Sequence, residues 1–281
     1  MKIAITGATG FIGRHVRNVL VKTNHDVLLV VRKQAKIGEL GANEKSMIAD
    51  ISEGHDDWFD HLNRPDVLIH LAWGGLPNYQ DRYHVEVGLK LQILFLKGLI
   101  STGLPKLVVS GTCYEYGLAG GALVEGQEMS PNTPYGVAKD HLRKFLSGFS
   151  GGGGGPNFEL TWARIFYPYG VGQSATSIYS QLRSAILNGD QQFKMGSGTQ
   201  LLDFISVERA ASVLVSLATY FEAVGIVNVG SGKPQTTLDF VHNQIHKLGA
   251  QIVPLVGAIP DRKFESQAFW ADISKLKSLN I

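Results

Sequence analysis

Short apolar, β-branched runs recur along the chain at Lys2–Thr6, Val27–Val31, Val67–Leu71, Leu107–Ser110, Leu160–Ile165 and Ile226–Val229. Between most of them lie longer helical patterns, Phe11–Val21, Val85–Ile100 and Tyr135–Phe149. Strands alternating with helices predict βαβ units, hence a parallel sheet with right-handed crossovers. Val67–Leu71 and Leu107–Val109 are continuous rather than alternating, as expected of strands covered on both faces. Beyond Ile165 the pattern loosens into a Tyr/Pro/Gly segment, a helix around Ser177–Asn188 and a Gly/Ser/Thr loop at Gly196–Gln200. A further helix is predicted over Leu238–Leu248, with Thr236 and Asp239 at capping-box spacing. The second half therefore reads as a smaller lobe at the end of the sheet, where open α/β sheets bind ligands. Gly151–Gly155 followed by Pro156 holds neither helix nor strand and reads as a flexible surface connection.

Composition narrows the class. The chain has 281 residues, 44% hydrophobic and 18% charged, which suits a large packed core and excludes global disorder. A net charge of +2 gives no basic tail and no support for nucleic-acid binding. The single cysteine, Cys113, excludes an internal disulfide and suits a reducing compartment, so a cytoplasmic location is expected. Met1–Ile5 enters a strand pattern at once, which predicts no signal peptide. No run approaches the ~18 apolar residues of a membrane span, so no membrane partner is expected.

The first chemistry lies at Thr6-Gly7-Ala8-Thr9-Gly10-Phe11-Ile12-Gly13, directly between the first strand and the first helix. Gly7 permits the tight turn, Gly10 lets backbone approach a pyrophosphate, and Gly13 allows close helix–strand packing. Placed so, the motif predicts a dinucleotide cradle made by Gly7, Thr9, Gly10, Phe11, Ile12 and Gly13 on a Rossmann-type, doubly wound parallel sheet. An NAD site usually carries an acid at the end of the second strand to bind the ribose 2′-OH. Here Val31 is followed by Arg32-Lys33, whose charges suit a 2′-phosphate, so NADP is expected, with NAD the alternative.

Six further motifs in order give a resemblance over nearly the whole chain. Together with the glycine motif, the sequence resembles the extended short-chain dehydrogenase/reductases, in their nucleotide-sugar epimerase/dehydratase branch. Asp50-Ile51 looks like the adenine-contacting acid, and His70-Leu71-Ala72 like the H-x-A stretch that flanks the cofactor. Ser110-Gly111-Thr112-Cys113-Tyr114-Glu115-Tyr116-Gly117 is similar to S-S-[ST]-x-x-x-Y-G, whose third position supplies a catalytic hydroxyl. Tyr135 and Lys139 match Y-x-x-x-K; Arg164–Gly170 resembles R-x-F-N-x-Y-G; Asn228–Gly232 resembles N-x-G-x-G. Three departures stand out. Tyr167 replaces the usual Asn, Leu202 replaces the Arg of R-D-F/Y beside Asp203-Phe204, and Glu86 stands near the place of a frequent helix Asn. With Leu202 at that place, Arg262 becomes the candidate for the diphosphate.

Tyr135 and Lys139 lie four apart on one helix face, ~6 Å between Cβ atoms. A phenol with a pKa of about 10 is a poor acid–base catalyst near neutrality, and a neighbouring ammonium is expected to lower it. The resemblance adds that Lys139 holds the nicotinamide ribose. Thr112, at a strand end, would hydrogen-bond the substrate oxygen. Cys113 adjoins it; alternation turns the thiol away, favouring a structural role over a nucleophilic one, although it borders the substrate site. Trp73 either walls the cofactor and substrate pocket or packs in the core, and Tyr79 and Tyr83 stay unassigned. His242 and His246 have zinc-ligand spacing without further ligands, so no metal is expected.

Substrate contacts are thus expected from Trp73, Thr112, Cys113, Tyr167 and Arg262, cofactor contacts from the cradle with Arg32, Lys33, Asp50, Ile51, Leu71, Ala72, Trp73, Tyr135 and Lys139. The resemblance implies residues 1–168 with 204–232 as the NAD(P)-binding domain, and 169–203 with 233–281 as a lobe for a nucleotide-diphosphate sugar. Dehydratases of the family carry adjacent Asp and Glu after the catalytic Thr, where this chain has Cys113 and Tyr114. Fucose-synthase-like relatives use a Cys at the place of Tyr114 and a His in a stretch, 171–179, that here has none. The expected activity is NADP(H)-dependent reduction of a 4-keto-6-deoxy nucleotide sugar; an NAD-retaining epimerase and a non-catalytic cofactor-sensing protein are the alternatives. The resemblance also implies a homodimer, paired through Val85–Ile100 and Tyr135–Phe149.

Overall fold

The computed structural model describes residues 1–32, 37–55, 57–149, 157–261 and 266–281. Its centre is a seven-stranded sheet in the order Gly225–Val229, Glu159–Ile165, Lys106–Thr112, Val67–His70, Lys2–Thr6, Asp26–Val31, Glu44–Ile48. Every neighbouring pair is parallel. All six strands expected from the apolar runs are present. The seventh, Glu44–Ile48, escaped the pattern because it is a polar edge strand, open on one side and mostly exposed. Its Glu44 is nevertheless buried, bonded at 2.7 Å to Arg17 in the last turn of the first helix.

Helices cover both faces. Phe11–Leu20 and Val207–Thr219 place Val16, Leu20, Ala210 and Leu214 against one side of the sheet. Leu89–Ser101 and Pro134–Phe149 place Phe95, Leu99, Leu142 and Leu146 against the other. These buried positions recur at four residues in each helix, so each offers one apolar stripe to the sheet. The helix expected from Val85 begins instead with a wide π-type turn at His84–Gly88, and becomes α-helical only at Leu89. That turn buries His84 completely.

Lys2–Thr6 lies between Asp26–Val31 and Val67–His70, so the chain leaves the first strand to opposite sides and opens a crevice at the strands' carboxyl ends. Over that end sits a four-stranded sheet of Gln235–Thr236, Leu201–Leu202, Ala268–Ala271 and Gly121–Leu123. Phe166, Phe204, Phe240 and Phe269 fill the space beneath it, with Phe204 and Phe240 stacked at 4.0 Å. Helix Ile178–Leu187 is capped by Ser177, and Thr237–Lys247 by Thr236, which accepts the Asp239 N–H at 3.0 Å. The Gly151–Gly155 run lies outside the described residues. Among those described, no helix is long and apolar enough to cross a membrane.

Candidate active site

The glycine cradle closes on the crevice. Gly7 has φ +73°, and a Cβ there would stand 2.8 Å from Ala72 N, so the turn presses directly on the Leu71–Ala72 segment. A Cβ on Gly13 would meet Gly7 O at 2.1 Å, which fixes the helix against the turn. Gly10 caps the helix Phe11–Leu20 without a side-chain bond and lines the cleft, leaving helix N–H groups available to an anion. This geometry fits the pyrophosphate of a dinucleotide.

One cleft of about 970 Å³ runs from this cradle to the small lobe. Of the residues singled out in the sequence, Gly7, Gly10, Phe11, Ile12, Gly13 and Leu71 border it at the cradle end. Trp73, Thr112, Cys113, Tyr135, Lys139 and Tyr167 border it further in. Thr9 and Ala72 do not border it: the Thr9 carbonyl accepts a bond from Arg14 at 3.2 Å, and the Ala72 carbonyl one from Gln92 at 3.2 Å. Arg32, Asp50 and Ile51 follow the carboxyl ends of the strands Asp26–Val31 and Glu44–Ile48 and do not border this cleft. The Asp50 carboxyl is held below its usual range by the N–H and hydroxyl of Ser52, at 2.9 and 2.7 Å, and by the charge of Arg32. Lys33 and Arg262 lie outside the described residues.

Thr112 ends its strand and caps the short turn Cys113–Tyr116 in a reciprocal box: its hydroxyl accepts from Tyr114 N, and Glu115 accepts from Thr112 N. The Thr-x-x-Glu spacing of a capping box is the local sequence signal for Glu115, to which the S-S-[ST]-x-x-x-Y-G motif gives no role. Its carboxylate is wholly buried and also takes the Trp162 indole N–H at 2.9 Å and the Arg164 guanidinium at 2.8 Å. A Cβ on Gly111 would lie 2.3 Å from Trp162 Nε1 and 2.8 Å from Glu115, so the glycine in place of the usual Ser makes room for this group. The later motifs are tied in as well. Asn228 accepts from Tyr116 Oη at 2.7 Å, and Asp203 holds Ser231 and Gly232 by their N–H groups at 2.7 and 2.9 Å.

Tyr135 and Lys139 come from the helix Pro134–Phe149 and are both buried. The phenol hydrogen-bonds Thr112, and Lys139 Nζ donates to the Ser110 carbonyl at 2.8 Å. The phenol is not lowered as its ammonium neighbour led one to expect. Burial pushes Tyr135 well above the ordinary phenol range, with Tyr79, Glu115 and Cys113 adding to it. Burial also lowers Lys139 to about 7, against the opposing charge of Glu115. Tyr135 is therefore a neutral proton carrier at neutral pH.

Aromatic rings enclose the phenol. Trp73 meets it edge-on at 5.8 Å, Tyr79 lies at 5.4 Å and His84 at 5.3 Å. Tyr79, unassigned in the sequence, also stacks on Tyr114 at 4.9 Å and accepts the Tyr135 N–H through its carbonyl. Tyr167 packs on Phe204 and Phe269 at 5.9 and 5.6 Å, so an aromatic floor replaces the amide usual there. Cys113 is buried in the same cluster. His70 lies behind the cradle, pushed down to about 3 by burial and by Lys139; it bridges Thr6 Oγ1 and Gln92 Oε1 at 2.8 and 2.5 Å. His242 and His246 are exposed, and among the described residues no three His, Cys, Asp or Glu side chains stand close enough to hold a metal.

Comparison with known proteins agrees with this architecture. A curated relative, dTDP-6-deoxy-L-talose 4-dehydrogenase (NAD(+)) of Aggregatibacter actinomycetemcomitans, is 28% identical over 271 residues, 96% of this chain and 99% of that protein. The dTDP-6-deoxy-L-talose 4-dehydrogenase (NAD(P)(+)) of Kitasatospora kifunensis is 25% identical over 259 residues, 88% of this chain and 79% of that one. Among solved structures, the UDP-N-acetylglucosamine 4-epimerase of Methanobrevibacter ruminantium M1, in complex with UDP-N-acetylmuramic acid, shares the fold with a TM-score of 0.87 at 22% identity, covering 100% of this chain and 92% of that chain. The model of the NAD dependent epimerase/dehydratase family matches residues 3–230, and with the glycine cradle and the Thr112, Tyr135 and Lys139 site the chain belongs to that family, within the extended short-chain dehydrogenases/reductases.

Proposed function

We propose that this NAD(P)-dependent enzyme of the short-chain dehydrogenase/reductase type interconverts the 4-keto and 4-hydroxy forms of a nucleotide-activated 6-deoxy sugar, with NADP(H) as its preferred cofactor. The observation that carries this reading is the neutral Tyr135 phenol bonded to Thr112, with Cys113 and Tyr114 in the two positions that would need carboxylic acids for dehydration. The two talose 4-dehydrogenases among the relatives support the choice of carbon and sugar class.

A bound nicotinamide supplies the hydride to the sugar carbonyl carbon, or takes it in the reverse direction. The protein supplies the rest. Thr112 and Tyr135 donate hydrogen bonds to the ketone oxygen, and Tyr135 passes its proton to that oxygen as the alcohol forms. The Lys139 ammonium sits beside the phenol and favours the phenolate left behind. Arg32, next to Asp50, supports a 2′-phosphate. Among the described residues lining the cleft the cations are Lys139 and Lys194, which supports Lys194 as a candidate for the sugar diphosphate in place of the arginine missing at Leu202.

We assign the cofactor to residues 1–168 with 204–232, and the sugar nucleotide to a lobe of 169–203 with 233–281. We place the enzyme in the cytoplasm as a homodimer; the 68% exposed Leu94 on Leu89–Ser101 supports a helix-mediated contact. The test is a panel of nucleotide-linked 4-keto-6-deoxy sugars incubated with NADPH. Stoichiometric loss of nicotinamide absorbance with formation of the 4-hydroxy sugar is expected. Interconversion of two 4-hydroxy epimers without cofactor consumption would establish an epimerase instead, and NADPH binding without turnover a sensor.

A further inference from the structure

Trp73 follows the strand Val67–His70, and its indole touches two groups that border the cleft and one buried histidine. Its face lies 4.1 Å from Lys139 Nζ, its ring meets Tyr135 edge-on, and its N–H reaches His84 Nδ1 at 3.0 Å. An indole N–H only donates, so His84 Nδ1 accepts and carries no proton. The proton is then on Nε2, which donates to the Asn78 carbonyl at 2.8 Å. With both nitrogens engaged in a fully buried ring, the imidazole fixes the rotation of the indole.

We propose that Trp73, oriented by His84, is a positioning residue for Lys139: the indole face holds the ammonium in the cleft, where Ser110 engages only one of its N–H groups. This rests on the reading of Tyr135 and Lys139 as the catalytic pair. The need for such support comes from burial, which brings Lys139 down to about 7 and so to the edge of losing its charge at neutral pH. Of the titratable groups that face it, Glu115 favours the ammonium, while His70 and Tyr135 are neutral. A cation within about 6 Å of an indole face is stabilised by the ring quadrupole, most of all where water is excluded. A Leu or Phe at position 73 would fill the same space, but only an indole offers both the face and an N–H for His84 to hold.

The test reads the ionisation of Lys139 directly, with neither sugar nor cofactor present. Protein labelled with ε-13C lysine is titrated by NMR, and Lys139→Arg assigns the resonance. Trp73→Leu is expected to lower the Lys139 midpoint by ~0.5–1.5 pH units, while Trp73→Phe, which keeps an aromatic face, recovers part of the loss. His84→Leu leaves the indole without its acceptor and is expected to move the midpoint the same way by less. An unchanged or raised midpoint in Trp73→Leu overturns the proposal. Should that variant fail to fold, wild-type midpoints in both Trp73→Phe and His84→Leu overturn it. Inactivity of the wild type on every keto sugar would count against the proposed reaction and leave this titration standing.

Discussion

Glu115 accepts the backbone N–H of Thr112 at 2.8 Å, so the residue that presents the catalytic hydroxyl is held by a buried carboxylate three positions further on. The same carboxylate neutralises Arg164, which is 1% exposed, and engages the Trp162 indole. Removing one member of a buried ion pair strands the other charge, at a cost of about 3–5 kcal/mol. Glu115→Ala is therefore expected to lose about that much stability in urea unfolding, and to lower turnover as the Thr112 turn loosens. Glu115→Gln, which keeps the shape but not the charge, should lose less. A wild-type urea midpoint in Glu115→Ala would show that Arg164 finds another partner.

His70 ties stability to pH. Its folded value of about 3 lies below the ordinary 6.5 of an unfolded histidine. Between these values the unfolded chain takes up a proton that the folded chain refuses, so stability rises with pH across the window and is lost as pH falls from 6.5 toward 3. The contribution to the slope approaches about 1.4 kcal/mol per pH unit near the middle of the window. Urea unfolding of wild type and His70→Gln between pH 4 and 7 is the measurement. The variant should show the shallower dependence, and equal slopes would refute the assignment.

What the sequence made legible follows from where each signal lies along the chain. The cradle and the Tyr135–Lys139 pair are local patterns, with chemistry spaced over a few residues, and the structure brings both to one cleft. The strand Glu44–Ile48 carries no apolar pattern because it is polar and mostly exposed, and its one buried residue, Glu44, is held by Arg17, 27 residues away. Trp73 and His84 meet because a loop and a π-type turn bring them together, and no periodicity announces that contact. The phenol departs from the expectation drawn from its lysine neighbour because burial raises it, and the rings of Trp73, Tyr79 and His84 that enclose it come from a loop and turn far from Tyr135 in the chain.

Cofactor preference turns on Arg32. A charged hydrogen bond contributes roughly 1.5–3 kcal/mol, so Arg32→Asp should weaken NADPH binding by ~10–100-fold while NADH binding holds or improves. Isothermal titration with both cofactors decides it. Equal affinities of the wild type for NADPH and NADH would remove the basis for the NADP assignment, and leave the cradle's fit to a dinucleotide intact.

The proton on Tyr135 separates the proposed chemistry from mere cofactor binding. Burial keeps the phenol protonated across the neutral range, so the hydroxyl is present as a donor before reduction begins. Tyr135→Phe removes one oxygen and leaves the ring that Trp73, Tyr79 and His84 pack against, so the cage and the fold should persist. Loss of a general acid lowers turnover by ~10²–10⁴-fold. The variant is expected to show that loss in NADPH-dependent ketoreduction with a cofactor dissociation constant close to wild type. Thr112→Val should fall less, since one of two donors to the ketone oxygen remains. If Tyr135→Phe reduces the keto sugar at the wild-type rate, the proton comes from another group, and Tyr79, against the same ring, is the next to replace.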